Sequence, residues 1–162
     1  MAIIYCDMDG VLADFKAAAQ RTTGMSINKW MNIPSSREKW SLIKKKKDFW
    51  HTLPWMPGGK QLWSYISKHD PHILSAYVEE SFDPNCIPGK TAWLRKNTGL
   101  SNRSKINLVR RKEKKLFAKR GKPSILIDDY EKNVREFIAS GGQAIHHTNT
   151  SKTISQLKRL GF

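Results

Sequence analysis

The chain has 162 residues, 39% of them hydrophobic and 10% aromatic, a formal net charge of +15 and two cysteines. That length suits one domain with room for a small insertion and is enough to bury a core, and the composition excludes a disordered chain. Two cysteines exclude a disulfide framework or a zinc cluster, and no apolar run approaches the roughly 20 residues that cross a bilayer. With no basic leader at the amino terminus, the expectation is a reduced, cytoplasmic protein with no membrane association.

Ile3-Ile4-Tyr5-Cys6 is a short apolar run that predicts a buried strand. It runs into two carboxylates, Asp7 and Asp9, and then Gly10, which lets the chain turn sharply. Asp14 to about Gly24 has helical spacing through Phe15, Ala18 and Ala19 and ends at a glycine. Residues 25–56 break the pattern. Trp30, Trp40, Phe49, Trp50 and Trp55 lie among lysines there, Pro34-Ser35-Ser36 offers a helix start, and Met25, Met31 and Met56 are expected in a small core.

Pro57-Gly58-Gly59 opens a helix with Leu62, Tyr65 and Ile66 on one face, and His72-Ile73-Leu74-Ser75 predicts a second strand. Lys90 to Lys96 reads as helical, with Trp93 and Leu94 inward and Gly99 as its stop. Ile106 to Val109 predicts a third strand, and Ser124 to Ile127 a fourth that again ends in two acids, Asp128 and Asp129. A helix over Glu131 to Ser140, a fifth strand over Ala144 to His146 and a helix over Ser151 to Leu160 complete the pattern. Strands alternating with helices predict an α/β fold, a Rossmann-like parallel sheet with helices on both faces. The core would comprise residues 1–24 and 57–162, with 25–56 as a small helical insertion.

In a parallel sheet the carboxyl ends of the strands share one edge, where such folds bind ligands. Asp7, Asp9, Ser75, a lysine of the 110–119 segment, Asp128 and Asp129 would therefore converge. Several carboxylates at one point need a cation, and an all-oxygen ligand set suits Mg²⁺. A carboxylate nucleophile, a metal, a lysine and a hydroxyl are the parts that phosphoryl transfer uses. Basic residues concentrate in Arg37–Lys47 and Arg103–Lys122, the second holding one acid, Glu113. Charge of this kind argues for anionic partners rather than for a fold.

Asp7-Met8-Asp9-Gly10-Val11 resembles the first motif of the haloacid dehalogenase (HAD) superfamily of phosphotransferases. The longer DMDGVLADF, Asp7 to Phe15, is similar to the 5'(3')-deoxyribonucleotidases within it. The order of the four features along the chain is also that of the four HAD motifs. The resemblance implies a HAD core with a small cap and a Mg²⁺-dependent phosphomonoester hydrolase that works through an aspartyl-phosphate. It makes Asp7 the nucleophile and a metal ligand. Asp9 becomes the general acid/base, with its backbone carbonyl on the metal. Ser75 becomes the hydroxyl that orients the phosphate, with Ala76 beside it in substrate binding. Asp128 and Asp129 become the remaining metal-site acids, Asp129 directly, and Asn133 stands where the family often has a further acid.

The motif-three lysine is ambiguous among Lys112, Lys114, Lys115 and Lys119. Leu116-Phe117-Ala118 looks like a helix that buries one face, which favours Lys114 and then Lys115, the latter also assigned to substrate binding. Arg110 and Arg111 read first as surface cations and second as phosphate ligands. His146-His147 lacks a third ligand at sensible spacing and reads as a strand-to-loop junction. The insertion is similar to the superfamily's small cap, in which Phe49 and Trp50 would flank a base. The expected partner is a small phosphorylated substrate, a nucleoside monophosphate, while the basic charge leaves nucleic acid open. The chain is shorter and more basic than cellular deoxyribonucleotidases. A polynucleotide end phosphatase and a nucleic-acid-binding module without catalysis are the alternatives.

Overall fold

Residues 2–119 and 122–162 are described by a computed structural model. Strands β1 (Ile3–Cys6), β2 (His72–Ala76), β3 (Ile106–Val109), β4 (Ser124–Asp128) and β5 (Gln143–His146) form one sheet in the order β3-β2-β1-β4-β5. Every neighbouring pair is parallel. The helices are α1 (Phe15–Thr23), α2 (Ile27–Met31), α3 (Ser36–Lys44), α4 (Gly59–Ser67), α5 (Cys86–Thr98), α6 (Glu131–Ala139) and α7 (Thr150–Arg159), with a run of 3₁₀ turns over Arg111–Lys119. The α/β, Rossmann-like parallel sheet expected from the sequence is the observed fold.

The chain divides into two compact units. One comprises Met1–Ala13, Trp55–Ala76 and Asn102–Phe162 and holds the sheet; the other comprises Asp14–Pro54 and Tyr77–Ser101 and is helical. In the first unit the chain winds outward through β2 and β3, then crosses back to place β4 on the other side of β1. The switch point therefore falls between β1 and β4, the position where open α/β sheets form a crevice.

Strand alternation sorts the side chains onto two faces. Tyr5, Leu74 and Leu126 point to one face, where Phe117 and Ala118 of the 3₁₀ run and Phe137 of α6 close the core. Tyr5 meets Phe117 edge-on, with ring centroids 5.5 Å apart. Ile4, Ile73, Ile125 and Ile127 alternate onto the opposite face, also buried. There α4 and α7 pack on each other and bury Leu62, Ile66 and Leu157.

In the second unit Asp14 caps α1 through its side chain, Ser35 caps α3, and Gly24 ends α1. The rings of Phe15, Trp30, Trp40, Phe49 and Trp50 pack together, with Phe15 stacked on Trp50 at 5.5 Å. Helix α5 begins at Cys86, four residues before the expected Lys90. Pro88 and Gly89 look like breakers, but proline lacks only an N–H that the first helical turn leaves unbonded anyway. Met31 was expected in the core and is instead 56% exposed, because Trp30 takes the inward position of the short α2.

Candidate active site

Asp7 follows β1 and Asp128 ends β4. The register sets Cys6 opposite Ile127, and Asp7 N–H donates to the Ile127 carbonyl at 2.9 Å, so the two acids leave adjacent strands side by side. Both lie in phase with the residues that face the 3₁₀ run, Asp7 with Tyr5 and Asp128 with Leu126. In a 3₁₀ helix residues three apart eclipse one another. Phe117 is fixed in the core, so Lys114 must turn towards the sheet. It does: Lys114 is 3% exposed, with Nζ 3.2 Å from Asp7 Oδ1 and 2.8 Å from Asp128 Oδ2. Lys112, Lys115 and Lys119 are exposed. The 3₁₀ geometry thus selects one lysine of the four.

Each acid is held by the backbone as well. Asp7 Oδ1 accepts from Met8 N–H at 2.8 Å, and Asp128 Oδ1 from Tyr130 N–H at 2.9 Å. Asp128 Oδ2 also accepts from Asn133 Nδ2 at 3.1 Å, and Asn133 Oδ1 accepts from Arg111, which pairs with Glu136 at 3.1 Å. Asp128 therefore has both oxygens committed to protein donors. Arg111 is committed to Asn133 and Glu136. Sequence reasoning had Arg111 as a surface or phosphate-facing cation and missed this link. The signal for it is the helical spacing of Asn133 and Glu136, three apart on one face of α6.

Asp129 completes the group. Oxygens of Asp7, Asp128 and Asp129 lie within 4.8 Å of one another. A Cβ on Gly10, whose φ is +80°, would collide with the Asp129 carboxylate, so glycine there serves both the turn and the close approach of the acid. Burial, followed by the charges of Asp7 and Asp128, pushes Asp129 up to about 7. Burial and then Asp7 push Asp128 up to about 6, against Lys114 and the Tyr130 N–H. Burial alone would lower Lys114, but Asp7 and Asp128 hold it above the ordinary lysine value, so it stays an ammonium. Three carboxylates around one ammonium carry excess negative charge in a poorly solvated place. The upward shifts of Asp128 and Asp129 follow from that burial and repulsion, and a bound cation would relieve it. The donors are hard oxygens, which fits a divalent metal of the Mg²⁺ or Ca²⁺ type.

The half-buried Asp9 lies just beyond, in a turn where Gly10 N–H donates to the Ala13 carbonyl at 2.9 Å. Its carboxylate stands outside the three-acid group. Ser75 is buried next to the end of β2, and Ala76 ends that strand half-buried, both at the sheet edge that carries the acids. His147 is buried, with Nδ1 2.7 Å from Thr153 Oγ1, and His146 Nε2 lies 3.0 Å from the Asp129 carbonyl.

One expectation is overturned within the second unit. Phe49 and Trp50, expected to offer their faces to a base, are each 1% exposed. Phe49 packs edge-on against Trp50, Phe15 covers a face of Trp50, and Trp50 Nε1 donates to Asp83 Oδ2 at 2.8 Å. The Lys90 ammonium lies 5.4 Å from the Trp50 ring centre. The rings are core, and the buried polar residues Asp83 and Lys90 behind them were not anticipated.

No family model matches this sequence, and no curated protein matches it. Solved structures do. The chain superposes on L-2-haloacid dehalogenase from Xanthobacter autotrophicus at 12% identity with a TM-score of 0.58, covering 100% of this chain and 84% of that one. A HAD family hydrolase from Deinococcus radiodurans R1, with bound phosphate and sodium, matches at 11% identity and TM-score 0.58, covering 99% and 88%. A HAD family enzyme from Bacteroides thetaiotaomicron, in complex with magnesium and inorganic phosphate, matches at 14% identity and TM-score 0.54, covering 97% and 98%. The likeness is one of fold: this chain has the α/β architecture of HAD-family hydrolases.

Proposed function

We propose that the protein is a Mg²⁺-dependent HAD-type hydrolase of phosphomonoesters, with nucleotides as its substrates. The observation that carries this reading is the Asp7–Lys114–Asp128 arrangement, with Asp129 beside it, at the switch point of the sheet. The phosphate-bound and magnesium-bound HAD enzymes of the same fold support it. The nucleotide assignment rests on the resemblance of Asp7–Phe15 to deoxyribonucleotidases.

Asp7 Oδ1 is taken by Met8 and Lys114, and Oδ2 has no protein partner among the described residues. Oδ2 is the oxygen assigned to attack phosphorus. The ester P–O bond breaks as the acyl-phosphate bond forms, and Asp9 gives its proton to the leaving oxygen. Asp9 then takes a proton from water, whose oxygen attacks phosphorus and frees inorganic phosphate and Asp7. Lys114 holds Asp7 in place and balances charge on the transferring group. Ser75 orients the phosphate, with Ala76 and Lys115 beside it. Asp7, the Asp9 carbonyl and Asp129 would hold the metal, with Asp128 behind, and the metal would neutralise phosphate oxygens and orient them for in-line attack. Phe49 and Trp50 have no part in this proposal.

The net charge of +15 favours a second reading, in which the phosphate is removed from the end of a polynucleotide. Both readings are tested by phosphate release with Mg²⁺ from deoxy- and ribonucleoside monophosphates, sugar phosphates and end-phosphorylated oligonucleotides. Release from a nucleotide or an oligonucleotide end is expected, lost in Asp7→Asn and in excess chelator. No release from any of them, by folded protein, would overturn the assignment.

A further inference from the structure

A groove within the second unit, about 790 Å³, is lined by Ala18, Arg21, Thr22, Leu42, Lys45, Lys46, Phe49 and Thr52. Its walls are the carboxyl-terminal ends of α1 and α3. Each helix end carries a partial negative charge of about half a unit, which one or two cations would balance. The sequence supplies more. Arg21 sits in the last turn of α1, and Lys44-Lys45-Lys46-Lys47 ends α3 and runs past it. Helix α1 has no acid in its first turn, and Glu38 is the only acid of α3. Asp48 pairs with Lys46 at 3.6 Å, but both are exposed, and an exposed pair of this kind contributes little. A concentration of like charge around a concave surface remains, which that one weak pair does not neutralise.

The lining also says what kind of anion fits. Arg21, Lys45 and Lys46 are exposed, and Thr22 and Thr52 share the lining. Phe49, the one ring in the lining, is buried, so the groove presents no aromatic face on which a base would stack. It is suited to phosphates rather than bases. A single phosphate would leave most of these cations unused, whereas a chain of phosphates uses them all. A net charge of +15 on the whole protein favours a polyanion in the same way.

We propose that this groove binds the phosphodiester backbone of nucleic acid, without regard to base sequence. This assignment stands apart from the phosphatase chemistry, since none of its residues belongs to the catalytic group.

The test uses an unphosphorylated, fluorescently labelled single-stranded oligonucleotide, so that no terminal phosphate draws it to the catalytic residues. Anisotropy is followed across a salt series for the wild type, for R21Q/K45Q/K46Q, and for K152Q/K158Q/R159Q, which removes equal charge from α7 of the first unit. The groove variant is expected to bind about tenfold or more weakly, with a salt slope reduced by about 2, since each lost single-strand phosphate contact removes roughly 0.7. The α7 variant should change much less. Circular dichroism and hydrolysis of p-nitrophenyl phosphate report folding and catalysis separately, and both should match the wild type in the groove variant. Equal losses in the two variants, unchanged binding, or equal affinity for polyglutamate of the same charge would each overturn the proposal. Loss of p-nitrophenyl phosphate hydrolysis in wild type, with oligonucleotide binding intact, would instead count against the phosphatase reading alone.

Discussion

Asp128 and Asp129 are both shifted upward by their surroundings. Without a metal their carboxyls are pushed up to about 6 and about 7, chiefly by burial and next by Asp7. In an unfolded chain the same groups titrate near 3.9, to within about a unit. As pH rises between those limits, the folded state keeps protons that the unfolded state has released, so the stability of the metal-free protein falls. It is greatest below the unfolded value and is lost as pH climbs towards 7. His147, lowered by burial, works in the opposite sense. A bound divalent cation removes the carboxylate effect by holding both acids ionised. The melting-temperature difference between Mg²⁺ and EDTA should therefore widen from about pH 5 to about pH 8. A difference that is absent, or that narrows over this range, would contradict the metal site.

At the scale of the element, β1 and β4 were legible because each is a short apolar run that meets an acid: Cys6 before Asp7, Ile127 before Asp128. Helix ends were legible where a capping side chain or glycine marks them, as Asp14 and Gly24 do for α1. The start of α5 was not, because Pro88 and Gly89 signal a break in isolation and are tolerated within a first turn. The choice of Lys114 over Lys115 was favoured in the sequence but could not be fixed there. It depends on the 3₁₀ winding of Arg111–Lys119, which eclipses Lys114 with Phe117. Trp50 went the other way. Its position next to Phe49 was visible, but not that Phe15 of α1 would cover it and Asp83 would accept its N–H. Filling a buried site with a ring makes its removal costly. Trp50→Ala should lower stability by about 3–5 kcal/mol in urea denaturation, by cavity formation and an orphaned Asp83 acceptor. A loss under about 1 kcal/mol, with a raised KM for nucleotides as the main effect, would return Trp50 to the substrate.

At the scale of the whole molecule, the sheet brings together residues more than a hundred positions apart. The rule that parallel strands end on one edge was enough to unite Asp7 with Asp128, and the order β3-β2-β1-β4-β5 sets them across the switch point. The sequence did not disclose the pairing of α1 with α3 that forms the basic groove, since a run of lysines reads alike on any solvated surface. Nor did it disclose the Arg111–Asn133–Asp128 chain of hydrogen bonds. The central claim is that Asp7 takes the phosphoryl group. Its most direct test is to quench turnover with borohydride, which reduces an acyl-phosphate to the alcohol, and to locate the product by peptide mass spectrometry. The account predicts homoserine at position 7, formed only when substrate and Mg²⁺ are both present. Continuing turnover with position 7 unmodified, or reduction at a different carboxylate, would contradict it.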